Sequence, residues 1–258
     1  MYLDVNAWVG RWPFRPVPIP TAAGLLRQMD RHGIEKAVVS SLHAVFYRNS
    51  QAGNEELFEE TKRHRDRLIP YATINPTYEG WREDLKVCQE DFGMTGLRLV
   101  PQYHNYRLAG PEGREVVNAA AELGMPVAIP MRLEDRRQRH WLDVAPDLGA
   151  GEVESAVRAC PGATFFVLEG IGLENSALVQ DPKLRERVYI EISRATSVLQ
   201  ESIPRMVEVI TDRLVFGTGM VLKVPSPAIL KVEVLKASKK VKEGIAYRNA
   251  ARALKVKM

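Results

Sequence analysis

The sequence predicts an α/β fold, a single (β/α)8 barrel of eight parallel strands, and three observations support this prediction. Short apolar segments alternate with amphipathic segments along the chain, which is typical of βα units and a parallel sheet. Eight such apolar segments occur within 258 residues, and one barrel of this type needs about 250. No segment rich in Pro, Gly or Ser divides the sequence, so we expect one domain over residues 1–258.

The predicted strands are rich in Val, Ile, Leu and Phe, as expected for strands covered on both faces. They are Tyr2–Val9, Glu35–Ser40, Leu68–Ile74, Thr95–Val100, Pro126–Met131, Thr164–Leu168, Arg187–Ile192 and Arg213–Gly217. Helical apolar spacing predicts the intervening segments. These are Ala22–His32, Glu55–Arg65, Glu83–Asp91, Gly113–Leu123, Glu152–Ala159, Ser202–Ile210, Pro227–Ala237 and Lys240–Leu254. A doubly wound open sheet is the alternative, but the turn after the first strand holds one glycine, Gly10, instead of a glycine-rich loop.

Composition narrows the class of protein. Hydrophobic residues make up 45% and charged residues 26% of the chain, as in average globular proteins. The formal net charge of +4 indicates an anionic partner without naming it. We expect no nucleic-acid partner, because no zinc-finger, RNP or helix-turn-helix spacing occurs.

The same sequence features bear on location. Cys88 and Cys160 do not form a disulfide framework, which favours a reducing cytoplasm. No signal-peptide pattern and no apolar run long enough to span a bilayer occur, so we expect a cytoplasmic protein without membrane contact. The oligomeric state stays open, a homo-oligomer included.

Four segments resemble one family in their order and spacing. The first strand contains LDVNAWVG (residues 3–10), the fourth GLRLVP (96–101), the eighth RLVFGTG (213–219), and the last helix YRNAARAL (247–254). They resemble the amidohydrolase-related (amidohydrolase family 2) metal-dependent hydrolases, in which Asp-x-His-x-His ends the first strand and Phe-Gly-Ser-Asp the eighth. The resemblance implies a barrel with hydrolase activity at the carboxyl ends of its strands.

The metal ligands that the resemblance implies are mostly replaced in this chain. The two first-strand histidines correspond to Asn6 and Trp8, and the fifth-strand histidine corresponds to Pro130. The sixth-strand histidine corresponds to Glu169 and the eighth-strand aspartate to Gly219. Zinc sites use three or four nitrogen, sulfur or oxygen ligands, and Trp8, Pro130 and Gly219 offer no ligating side-chain atom. We therefore predict a degenerate metal site that holds no metal and no other cofactor.

The carboxylates at the strand ends are the candidate catalytic groups. Glu169 and Glu191 follow neighbouring strands, so they could form an acid/base pair whose mutual repulsion raises one pKa. Alternatively, Arg98 neutralises Asp4 and one glutamate in a structural ion network. His43, just past the second strand, is the candidate general base, with a surface or hydrogen-bonded histidine as the alternative.

Basic and aromatic residues in the loops after the strands are the candidate ligands of an anionic substrate, since guanidinium groups bind carboxylate and phosphate. The candidates are Arg11, Arg15, Arg48, Arg98 and Trp12. Another arginine-rich segment, residues 132–141, follows the fifth strand, but acidic residues interleave with it and a solvated surface is the alternative. Trp12 could instead pack its loop onto the barrel rim.

Two functions stay open at this point. The first is a hydrolase or lyase that acts on a small anionic substrate without the family's metal centre. The second is a catalytically inactive relative that binds a ligand or a partner through the same end of the barrel. The fold alone does not decide between them, because the chemistry resides in the site.

Overall fold

The computed structural model describes residues 1–196 and 201–258. Its eight strands form one parallel sheet in which each strand pairs with the next along the chain. They are β1 (Tyr2–Val9), β2 (Ile34–Ser41), β3 (Leu68–Thr73), β4 (Gly96–Arg98), β5 (Val127–Pro130), β6 (Phe165–Leu168), β7 (Val188–Glu191) and β8 (Leu214–Val215). The Val5 amide donates to the Phe216 carbonyl at 3.0 Å and the Gly219 amide to the Asn6 carbonyl at 2.7 Å. These bonds join β1 to the segment directly after β8 and close the sheet, so the predicted (β/α)8 barrel is confirmed.

Helices connect the strands. They are α1 (Ala22–Arg31), α2 (Ser50–Thr61), α3 (Trp81–Glu90), α4 (Pro101–His104), α5 (Pro111–Glu122), α6 (Ala150–Ala159), α7 (Ala177–Gln180), α8 (Pro182–Arg185), α9 (Ser202–Ile210), α10 (Ser226–Val234), α11 (Lys239–Glu243) and α12 (Asn249–Leu254). Short 3₁₀ turns occupy His43–Val45, Leu173–Asn175 and Thr211–Arg213, and a π-helical turn occupies Gly244–Arg248. No helix in the described ranges combines the length and the apolar character that crossing a bilayer would require.

Helix α2 differs most from its predicted bounds, since it begins at Ser50 instead of Glu55. The Asn49 side chain caps it by accepting a hydrogen bond from the Gln51 amide at 3.0 Å. The buried Asn54 then donates to the Thr73 carbonyl and accepts from the Thr73 amide, both at 2.9 Å. Because polar side chains face the barrel over this first turn, apolar spacing could not reveal it.

Two apolar layers enclose the polar residues of the barrel. One buried cluster packs the helices against the outer strand faces, and it includes Leu97, Ile129 and Val167. A smaller cluster contains Phe166 and Tyr189, whose rings stack with centroids 5.0 Å apart. Barrels of this type place their chemistry at the carboxyl ends of the strands.

Candidate active site

Three polar side chains meet at the carboxyl ends of β1, β6 and β7. Asn6 lies within β1, Glu169 directly follows β6, and Glu191 is the last residue of β7. The Asn6 amide nitrogen donates to Glu169 Oε1 at 3.0 Å and to Glu191 Oε2 at 3.5 Å. All three residues are buried, with at most 2% of their surface exposed. The two glutamates that the sequence singled out therefore lie side by side.

Glu191 is the more enclosed of the two carboxyl groups. Its Oε2 atom accepts hydrogen bonds from the Glu169 amide at 3.0 Å and from the Ser193 hydroxyl at 2.9 Å. Its Oε1 atom accepts from the Ser193 amide. Burial, and then the negative charge of Glu169, raise the pKa of Glu191 to about 7. We therefore expect this carboxyl group to bind its proton more tightly than an exposed glutamate does.

Glu169 adopts a left-handed backbone conformation with φ of +57°. Such a conformation costs a residue other than glycine about 1–3 kcal/mol and is a reason to look for a function. Its Oε2 atom forms an ion pair with Lys223 Nζ. The Glu169 carbonyl accepts from Arg194 Nη1 at 2.8 Å. Contacts from β1, the segment after β7 and the segment after β8 thus fix this one residue.

Two glycines after β8 make room for these carboxyl groups. A Cβ atom on Gly217 would lie 2.5 Å from Glu191 Cγ and 2.9 Å from Asn6 Cβ. Gly219 has φ of +74°, and a Cβ atom there would lie 2.9 Å from both Glu169 Oε1 and Lys223 Cδ. Side chains at these positions would therefore collide with the site itself.

We expect Gly217→Ala to lower the free energy of unfolding by about 1–3 kcal/mol, because its methyl group overlaps the Glu191 side chain in a packed interior. Urea denaturation measures this change. The matched control is Gly151→Ala in helix α6, where a Cβ atom meets none of the residues that the structure describes within 4 Å. That substitution should stabilise the protein by roughly 0.5–1 kcal/mol. Equal stability of the two variants would contradict the tight approach at Gly217.

Arg98 is fully buried within the barrel. It donates to the Ala7 carbonyl at 2.9 Å and to the Val5 carbonyl at 3.2 Å. Its guanidinium carbon lies 4.4 Å from the centroid of the Trp8 ring. Burial lowers the pKa of Arg98 to about 10, so it stays charged at neutral pH. These contacts favour a structural role over the predicted substrate contact.

Asp4 belongs to the same buried polar group. Its Oδ1 atom accepts from the Asn6 amide at 2.8 Å and from the Thr218 amide at 3.0 Å, and its Oδ2 atom accepts from the Thr218 hydroxyl. Burial raises the pKa of Asp4 to about 6 although these hydrogen bonds oppose the shift. Asp4 therefore ties β1 to the segment after β8.

His43 lies at a different place on the barrel end. Its Nε2 atom accepts from the Arg11 amide at 2.9 Å, and its Nδ1 atom lies 2.5 Å from Glu56 Oε2. An accepting Nε2 leaves the ring proton on Nδ1, directed at Glu56. The ring borders a cavity of about 630 Å³ that Glu55 and Glu60 also line. The structure does not bring His43 together with Glu169 and Glu191.

The other predicted ligands are dispersed. Arg15 binds Glu134 with two hydrogen bonds, at 2.7 and 3.2 Å. The side chain of Arg11 is exposed, and Arg48 is exposed beside a separate cavity of about 640 Å³. Trp12 is buried, and its ring packs edge-on against Phe14, Phe46 and Tyr103. Arg15 also borders a third cavity, which Lys223 lines as well. Arg11, Arg48 and Trp12 do not border it.

That cavity, which we call the mouth cavity, has a volume of about 710 Å³. The basic residues that line it are Arg15, Arg132, Arg137, Arg194 and Lys223. Arg132 pairs with Asp135 at 3.0 Å, and its Nε atom is buried without a hydrogen-bond partner in the described part of the chain. An excess of cationic side chains favours an anionic ligand.

Sequence reasoning missed Arg194 and Lys223. Lys223 lies four residues after Gly219. The Lys223 amide donates to the Gly219 carbonyl at 3.0 Å and closes a turn. Nothing in the local sequence indicates that this turn returns the side chain to the strand ends. Arg194 does follow a strand end closely, and that position is the signal that could have identified it.

The side chains at this site do not fit the metal centre that the resemblance implies. The positions that the resemblance assigns to its ligands carry Asn6, Trp8, Pro130, Glu169 and Gly219, of which Glu169 alone has a good metal-binding atom. Over residues 1–196 and 201–258, no three His, Cys, Asp or Glu side chains lie close enough together to hold a metal ion. Two neighbouring carboxyl groups, Glu169 and Glu191, of which Glu169 is already paired with the Lys223 ammonium group, are a poor donor set for a divalent ion.

Comparison with known proteins supports the family and the fold. The family model described as amidohydrolase matches residues 9–256. The chain is similar to 2,6-dihydroxybenzoate decarboxylase from Rhizobium at 17% identity and a TM-score of 0.72, over 98% of each chain. It is similar to 5-carboxyvanillate decarboxylase from Sphingomonas paucimobilis at 13% identity and a TM-score of 0.76, over 99% of each chain.

A third similar structure is dihydroxybenzoic acid decarboxylase from a Polaromonas species with bound manganese. It is 15% identical with a TM-score of 0.70, over 98% of this chain and 96% of that one. None of the curated proteins matches the sequence. Because the family model extends over nearly the whole length and the barrel agrees with these structures, this chain belongs to the amidohydrolase family.

Proposed function

We propose that the protein is a lyase or hydrolase that acts on a small carboxylated molecule without a bound metal, with Glu169 as its proton-transfer residue. One observation carries this proposal. The Glu169 carboxylate is held between the Asn6 amide and the Lys223 ammonium group. Lys223 also lines the cationic mouth cavity, whereas Glu169 does not, so Lys223 would connect a substrate anion bound there to this carboxylate.

The two carboxyl groups suit proton transfer because their environments differ. Glu191 is fully buried and has its pKa raised to about 7, whereas Glu169 is paired with an ammonium group. Neighbouring carboxyl groups in such unequal environments take separate acid and base roles. We assign to Glu191 the role of holding a proton near neutral pH, and to Glu169 the role of exchanging one with the substrate.

Glu169 could transfer the proton in either a decarboxylation or a hydrolysis. In a decarboxylation, Glu169 in its protonated form gives its proton to the ring carbon that bears the carboxylate and becomes the carboxylate that pairs with Lys223. The carbon–carbon bond then breaks, its electron pair returns to the ring, and carbon dioxide leaves. Glu169 regains a proton from water after the product leaves. In a hydrolysis, Glu169 takes a proton from water as the oxygen attacks the carbonyl carbon. The proton then passes to the leaving group as the carbon–oxygen or carbon–nitrogen bond breaks.

The similar structures favour decarboxylation as the first reaction to test. Their names identify decarboxylases of dihydroxybenzoate and carboxyvanillate, which are small aromatic anions. A mouth cavity of about 710 Å³ lined by arginines is compatible with such a molecule. The second candidate is an inactive ligand-binding relative. Both Glu169 oxygens already have protein partners, which is the observation that favours it.

We expect Glu169→Gln to reduce turnover by roughly 100-fold or more, since general acid–base groups contribute 10²–10⁴-fold. The measurement is carbon dioxide release from aromatic carboxylates, together with hydrolysis of carboxylated esters, lactones and amides, in protein freed of metal by a chelator. The control is Glu186→Gln on an exposed glutamate. Activity retained by Glu169→Gln would contradict the assignment. A wild-type protein that binds these compounds without turnover would instead be the inactive relative.

A further inference from the structure

The Lys223 side chain takes an unusual route into the site. Its Cδ and Cγ atoms lie 2.9 and 3.4 Å from the position of a Cβ atom on Gly219. Gly219 is the position at which the family resemblance places an aspartate. The lysine stem therefore fills space that a side chain at residue 219 would need, and its ammonium group reaches Glu169 Oε2. The lack of a side chain at Gly219 therefore allows the Lys223 side chain to reach Glu169.

The positive charge of Lys223 stabilises the ionised form of the Glu169 carboxylate. The Glu169 side chain is 3% exposed, and a buried carboxylate is costly unless it is paired and hydrogen-bonded. The ammonium group has three N–H donors. One bonds to Glu169, and the Lys223 side chain, which is 25% exposed, lines the mouth cavity.

We infer that the Lys223 ammonium group is the fixed cation of this site, in place of a divalent ion, and that it binds the carboxylate group of the substrate. Arg132 and Arg194 line the same cavity and add donors for the same anion. This inference rests on the proposed function for its substrate class, but it concerns binding and not turnover. A substrate carboxylate would share Lys223 with Glu169, which places the substrate next to the proton-transfer residue.

Calorimetric titrations of the purified wild-type protein test the inference with two probes, Mn²⁺ and 2,6-dihydroxybenzoate. We expect no Mn²⁺ binding with a Kd below about 1 mM, and carboxylate binding that a chelator does not change. Lys223→Met should weaken carboxylate binding roughly tenfold or more, the usual effect of losing a charged hydrogen bond. Lys223→Arg should retain binding, which covers the case in which the methionine variant fails to fold.

Lys240→Met is the control, because Lys240 is exposed on helix α11. It should leave the Kd for the carboxylate within about threefold of wild type. Stoichiometric Mn²⁺ binding, carboxylate binding that requires Mn²⁺, an unchanged Kd in Lys223→Met, or no carboxylate binding to wild type would each overturn the inference. These readouts need no turnover. A protein that binds the carboxylate through Lys223 but shows no reaction therefore refutes the proposed function alone.

Discussion

Arg98→Ala is expected to lower the free energy of unfolding by about 3–5 kcal/mol, the range found when one partner of a buried charge network is removed. Three losses add up. The Ala7 and Val5 carbonyls of β1 lose a charged donor, and the Trp8 ring loses the cation that lies 4.4 Å from its centroid. Asp4 also loses a neighbouring positive charge that favours its ionised form.

Urea denaturation at pH 7 measures this loss, with two further variants to separate its causes. Arg98→Met keeps most of the side-chain volume and removes the charge, so it should recover only the cavity part of the loss. Arg27→Ala, on an exposed position of helix α1, should change stability by about 0.5 kcal/mol or less. A loss of about 1 kcal/mol or less in Arg98→Ala would mean that the guanidinium group does not hold β1 in place.

The strands can be predicted from the sequence because the signal for each strand lies within a few consecutive residues. Each one is a short apolar run that must be covered on both faces, and such runs are visible in any window of the sequence. Apolar spacing predicts the start of helix α2 five residues late, because the polar residues Gln51 and Asn54 are buried near its beginning. The last helix was predicted as one piece, but a π-helical turn at Gly244–Arg248 divides it. There Asn249 donates to the Leu214 carbonyl at 2.8 Å, which anchors the helix to β8.

Strand β1 contains a bulge that the sequence does not predict. Asp4 pairs with Ala37 and Ala7 pairs with Val39, so β1 advances three residues while β2 advances two. A bulge of this kind changes which side chains share a face. It has no signature in the apolar pattern.

The site was predictable only where a residue ends a strand. Glu169 and Glu191 were found because parallel strands bring their carboxyl ends to one edge. His43 also follows a strand, yet Glu56 and the Arg11 backbone bind its ring near another cavity. Lys223 was missed because its position depends on a turn after β8 and on the empty space at Gly219. Both features arise only when the chain folds, so the spacing of residues along the sequence does not reveal them.

Protein stability should fall as the pH rises from about 5 to 8, and Glu191 should account for roughly 2–3 kcal/mol of the fall. Its pKa rises from 4.5 to about 7 in the fold. Between these values the folded protein binds a proton that the unfolded chain releases. The stabilisation is therefore complete below about pH 4.5 and is lost as the pH rises through 7. Asp4, with its pKa raised to about 6, changes stability in the same direction at lower pH.

Urea denaturation at pH 5 and pH 8 tests this prediction by comparing wild type with Glu191→Gln. The glutamine stays neutral, so the difference in unfolding free energy between pH 5 and pH 8 should be smaller in the variant by roughly 2–3 kcal/mol. The exposed Glu186→Gln variant should keep the wild-type difference. The same pH dependence in Glu191→Gln and wild type would mean that the Glu191 carboxyl group is ionised in the fold. Arg98 and Lys231, whose charges favour that ionised form, would then outweigh burial and the charge of Glu169.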